Sequence, residues 1–66
     1  MKKFKVVDLY DGYKDVLGYA DNIREVKKLA KQRCEETEDE CQIWYYPLDT
    51  TVNKYDFSQR QFLQSC

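Results

Sequence analysis

Cys34, Cys41 and Cys66 are the thiols of a 66-residue chain that contains no histidine. A structural zinc site takes four Cys or His ligands, usually in closely spaced pairs, and neither the number nor the spacing is met here. The lack of histidine also removes the commonest general base and the usual activator of Ser or Cys nucleophiles. Ser58 and Ser65 are the two serines, and both are better suited to capping or tail positions than to nucleophilic attack. Gly12 and Gly18 stand too far apart to form a phosphate loop or a dinucleotide fingerprint. The acidic run "EETEDE" at 35–40 lacks the alternating ligands and turn glycine of a calcium loop. The chemistry available is therefore binding chemistry: no catalytic residue, cofactor site or metal site is expected, and the chain is not expected to be an enzyme.

A Cys34–Cys41 bridge would close a short loop and stabilise by about 2–3 kcal/mol on a chain-entropy estimate. The reading preferred here makes Cys34 a small core residue on a helix and Cys66 a free thiol at a frayed end, with no disulfide. The opening "MKKFKVVDLY" has a basic start, but Asp8 interrupts its apolar run too early for a secretory signal. No stretch approaches the length of a membrane span. The expected compartment is cytoplasmic, where thiols stay reduced, and no membrane partner is expected.

Binding residues fall into two groups. Arg24, Lys27, Lys28 and Lys31 recur at steps of three and four, so they share one flank of a helix. The acidic run follows directly, so a net charge of −1 hides a segregated surface. The second group is aromatic: six Tyr, three Phe and one Trp supply large buried areas to a chain short of core volume. "QIWYYPLD" at 42–49 is the sharpest case. Side chains alternate across a strand, so Ile43 and Tyr45 point one way and Trp44 and Tyr46 the other. Trp44, Tyr46 and, near a turn, Tyr13 are the candidates for an aromatic contact surface; the other reading makes Trp44 and Tyr46 a second small core sealed by Phe57, Phe62 and Leu63.

The elements that position these residues follow from periodicity. Residues 3–10 form a first strand, with Phe4, Val6 and Tyr10 on one face and Val7 and Leu9 on the other. "DG" at 11–12 marks a turn. Residues 14–20 form a second strand, with Val16 and Ala20 opposite Leu17 and Tyr19; Gly18 marks a bulge or a close contact. A helix over about 22–36 starts at Asn22, with Glu25 completing a capping box and Asp21 as the alternative cap. Ile23, Val26, Ala30 and Cys34 form its apolar stripe, widened by Leu29, and Arg33 lays its stem along the core and reaches outward. Residues 41–48 form a third strand that Pro47 helps to end. The last stretch carries Ser58 and Gln61 as a capping box, with Phe57 and Phe62 as a hydrophobic staple, predicting a short helix over 59–65; a fourth strand around Tyr55–Phe57 is the alternative.

The fold expected is a single α+β domain over 1–66. It is a ββαβ unit with a three-stranded, mainly antiparallel sheet of order 2-1-3, one main helix, a right-handed crossover and a short C-terminal helix or fourth strand. All three strands are apolar on both faces, and one helix covers only one. The unmet face points to a small protein-binding module of adaptor or inhibitor type, acting through Trp44, Tyr46 and Tyr13 and the split charge. The second reading is a nucleic-acid-binding domain using the basic helix flank with neighbouring aromatics, against which the sequence pI of 5.3 counts. The third is a structural subunit or homo-oligomer.

Overall fold

The structure is a computed structural model and describes residues 1–38 and 40–66. Among the described residues, five strands and one helix follow in chain order: β1 (Phe4–Asp8), β2 (Asp15–Ala20), α1 (Ile23–Glu36), β3 (Gln42–Asp49), β4 (Lys54–Tyr55) and β5 (Gln61–Ser65). Two 3-10 turns, Tyr10–Gly12 and Phe57–Gln59, join β1 to β2 and β4 to β5. The sheet has β1 between β2 and β3, antiparallel to both, which is the expected order 2-1-3. Among the described residues no helix is long and apolar enough to cross a membrane.

The helix begins where its cap predicts. The Asn22 side chain accepts from the Glu25 backbone N–H at 2.9 Å, satisfying one of the donors that a helix start leaves unpaired. Glu25 reaches back one residue further than a standard box does, accepting from the Asp21 N–H at 2.8 Å. Val26 and Ala30 are fully buried on Val6, Ala20, Cys41 and Ile43, and Phe4, Leu17, Leu29, Cys34, Tyr45 and Leu63 close the edges of this core. Glu38 and Glu40 are exposed beyond the helix end, whereas Asp39 of the acidic run lies outside the described residues.

Strict alternation fails in β2. The register shifts between Val6, opposite Gly18, and Val7, opposite Val16, so Leu17 is the extra residue of a bulge. Leu17 and Ala20 consequently face the helix, while Val16 lies on the Val7 side and Tyr19 stacks on Tyr55 there. The expected pairing of Val16 with Ala20, and of Leu17 with Tyr19, is thereby exchanged. Gly18 permits this: its φ is +151°, and a Cβ added there would lie 3.3 Å from Leu29 Cδ1. β1 also stops at Asp8, so Tyr10 belongs to the following turn rather than to the strand.

The largest departure is at the C-terminal end. Residues 61–65 form a strand, not a helix, and pair with the first half of β3, while β4 pairs with its last residues. The unpaired edge of β3 offers ladder hydrogen bonds along its length, which a two-turn helix could not satisfy. Asp56, not Ser58, caps the intervening turn, accepting from the Ser58 N–H at 3.0 Å and from its hydroxyl. Pro47 does not end β3, which runs on to Asp49. Its carbonyl accepts from the Asp56 N–H at 2.9 Å, and its missing donor falls at the junction between the β4 and β5 pairings. At the β3–β4 turn, the Thr51 hydroxyl and N–H both donate to Asp49, holding its carboxyl below the usual range, and Asn53 takes a φ of +55°.

Candidate functional site

The sheet face turned away from α1 is built from alternate positions of the central strands. Lys5 lies opposite Tyr19 and Tyr46, and Val7 opposite Val16 and Trp44. β5 extends this face by placing Phe62 opposite Trp44, and the turn before it folds Phe57 onto the surface. The outcome is a second apolar layer, with Val7 fully buried and Tyr46 2% exposed.

The rings meet edge to face, the arrangement that their quadrupoles favour. Tyr46 is flanked by Phe57 at 5.3 Å and Tyr55 at 6.4 Å between centroids, and Trp44 meets Phe62 at 5.3 Å. Phe57 and Phe62 thus provide the cover expected of them, but as neighbours of Tyr46 and Trp44 rather than as a staple across a helix. Leu63 instead joins the core beneath α1. Burial raises the Tyr55 phenol above its usual pKa, with Tyr19 and Asp21 adding to the shift; its hydroxyl donates to the Lys2 carbonyl at 2.7 Å. The Trp44 indole N–H is buried with no acceptor among the described residues.

Three cations stand over this layer. The Arg60 guanidinium lies 4.4 Å from the Phe57 ring centre and 5.7 Å from that of Trp44. Lys14 reaches Phe57 at 5.3 Å and Lys5 reaches Tyr46 at 5.9 Å. Among the described residues none of the three forms an ion pair, whereas Lys2, Lys31 and Arg33 all do. Apolar surface remains open between them: Phe62 is 50% exposed, Tyr19 46%, Val16 45% and Phe57 39%.

The expected site residues are not brought together. Trp44 is half-buried beneath Arg60 and Phe62. Tyr46 is a core residue of the second layer and cannot serve as a surface anchor, because Phe57 and Tyr55 close over it. Tyr13 is exposed at the β1–β2 turn, next to Lys14 in the chain. Arg24, Lys27, Lys28 and Lys31 are exposed on α1, on the opposite side of the sheet from Trp44, and Lys31 pairs with Glu35 at 4.0 Å. The basic helix flank and the aromatics therefore cannot form one surface. Arg60, Lys14, Lys5, Phe57 and Phe62 also line the aromatic face without having been singled out as binding residues from the sequence, where the available signal was Arg60 lying between two phenylalanines.

A separate polar cluster ties the turn to the helix. Asp8 is 6% exposed and accepts from the backbone N–H groups of Tyr10 at 3.1 Å and Gln42 at 3.0 Å. Arg33 donates to Asp8 at 3.3 Å and to Asp15 at 2.7 Å, which is where its outward reach leads.

The thiols also depart from expectation. Cys66 is not at a frayed end: its N–H donates to the Cys41 carbonyl at 3.0 Å, continuing the β5 pairing. Its sulfur lies within disulfide-bonding distance of both Cys34 and Cys41, whose own sulfurs are 3.9 Å apart. One sulfur forms one disulfide, so the two bonds exclude each other. Comparison with family models, curated proteins and solved structures finds no match.

Proposed function

We propose that this chain is a small, non-catalytic protein-binding module whose docking face is the side of the sheet away from α1. The observation that carries the reading is the grouping of Phe57, Phe62 and Arg60. Two partly exposed rings bracket a guanidinium that lies over Phe57 and Trp44 and has no carboxylate partner among the described residues. Arginine and aromatic side chains are the residues that most often carry interface energy, and an unpaired cation on an apolar ground calls for an anionic counterpart. The fitting partner is a protein surface that presents carboxylates around an apolar side chain. The carboxylates would meet Arg60, Lys14 and Lys5, and the apolar group would lie on Phe62 and Val16.

A single-stranded nucleic acid would use the same rings, but stacking bases need open ring faces. Arg60 already lies over Phe57 and Trp44, and Lys14 over Phe57, which favours the protein partner.

Capture from nuclease-treated extract tests the assignment. Phe62→Ala and Arg60→Glu alter exposed groups and are expected to weaken retention of a stoichiometric partner by about tenfold or more. Lys27→Glu with Lys28→Glu, on the far side of the sheet, is expected to leave retention within about twofold. Equal capture by all variants, or loss confined to the helix variant, would remove the proposed face. Tight, steeply salt-dependent binding of an oligonucleotide would replace the protein reading with the nucleic-acid one.

A further inference from the structure

We infer that Cys34, Cys41 and Cys66 form a site for one thiophilic divalent cation of the zinc type. The three sulfurs come from separate elements: the last turns of α1, the residue before β3 and the residue after β5. All three lie within 4.8 Å of one another. Three converging thiols supply three corners of a tetrahedral metal site, short of the four protein ligands of a closed structural site, whereas a single disulfide uses two of them and leaves one over.

One of the three separations already fits a metal. Zinc–thiolate bonds are ~2.3 Å long, so two thiolates of a tetrahedral site stand ~3.8 Å apart. Cys34 and Cys41 are 3.9 Å apart. Cys66 lies within disulfide-bonding distance of both, too close to share a metal with them as placed; it is the exposed member of the three, and the site requires its side chain to rotate away from the pair to make room for the ion. An open recess lined by Tyr10, Glu40, Cys41 and Cys66 adjoins the cluster, and water or an outside donor entering there would supply the fourth ligand.

Two independent features favour the metal-bound thiolates. Gln64 Nε2 donates to the Cys34 sulfur at 3.4 Å, the kind of outer hydrogen bond that orients a ligand and stabilises its negative charge. The acidic run at 35–40 connects Cys34 to Cys41, so bare thiolates there would be repelled, whereas a bound cation would be attracted. This gives the acidic segment a role that the docking face does not require, and the site stands independently of that face.

Cobalt is a suitable probe because tetrahedral thiolate coordination gives intense visible bands and a thiolate-to-metal transition in the near ultraviolet. Reduced, chelator-stripped protein is expected to bind one equivalent of cobalt with both signatures, and zinc should displace it. Cys66→Ser replaces an exposed residue without disturbing the core; with Cys34 and Cys41 still ligating, it is expected to lower the charge-transfer absorbance without removing it and to weaken zinc binding by about 100-fold or more. Gln64→Ala is expected to weaken zinc binding by about tenfold while keeping the spectrum. Cobalt binding without a thiolate band, no binding by the reduced chain, or equal affinity in Cys66→Ser would overturn the site. So would reduced protein that retains no zinc and re-forms one disulfide beside one free thiol.

Discussion

Trp44 contributes two opposing effects. Its ring joins Phe62 and Arg60 in the second layer, yet its indole N–H is buried without an acceptor among the described residues, which costs about 1–3 kcal/mol. Trp44→Phe removes the orphan donor and keeps a ring, so urea unfolding is expected to show a loss of no more than ~1 kcal/mol, whereas Trp44→Ala should lose ~3–5 kcal/mol. A large loss in the Phe variant would mean that the N–H has a partner. Asp8 is the reverse case: Asp8→Ala would leave two backbone donors and the Arg33 Nε–H without their acceptor, while Arg33 keeps Asp15, with an expected cost of ~2–4 kcal/mol. The phenol of Tyr55 supplies a pH signature. Its pKa is raised in the folded chain, chiefly by burial, so the associated stability is complete below the unfolded value near 10 and is lost as pH rises through the folded one. A Tyr55→Phe variant should therefore lose less stability than the parent between neutral and strongly alkaline pH; an identical decline would contradict the assignment.

Local patterns made most of the elements legible, and long-range demand decided the rest. α1 was readable because Asn22, Val26 and Ala30 mark a cap and a stripe within one segment. Order 2-1-3 followed from hairpin and crossover geometry. β5 was not readable: Ser58, Gln61 and two phenylalanines imitate a helix start, and only the open edge of β3, a feature of the assembled sheet, selects the strand. The bulge at Leu17 was signalled by Gly18, but which side chains would change faces depended on pairing with Val6 and Val7. The site was half legible for the same reason. An aromatic second face was predictable from Trp44 and Tyr46, whereas Arg60 and Phe57 reach it only through a turn that local sequence assigned to a helix. Tyr46 is covered as a consequence. At this scale Gly18→Ala is the sharp test: it combines an unfavourable φ with a Cβ pressed on Leu29, so a loss of ~1–3 kcal/mol is expected in thermal or denaturant unfolding, and a neutral result would mean that the bulge can relax.

As a whole, the molecule is a thin sheet with a helical core on one side and a ring-and-cation layer on the other, with principal extents of 38 × 24 × 14 Å. Cations stand on both sides: Lys5, Lys14 and Arg60 lie over the rings, while Lys27, Lys28 and Lys31 lie on the helix. A metal at the three thiols would tie the C-terminal strand to α1 and β3, so zinc at about 100 times its Kd should stabilise the reduced chain by ~2.7 kcal/mol, an increment that a chelator reverses. The lysines give the most direct test of the docking face, because the two sets respond separately to an amine-acylating reagent read by mass spectrometry. In the captured complex, Lys5 and Lys14 are expected to be protected relative to the free protein, with Lys27, Lys28 and Lys31 modified as before. Protection of the helix lysines, with Lys5 and Lys14 unchanged, would contradict the account.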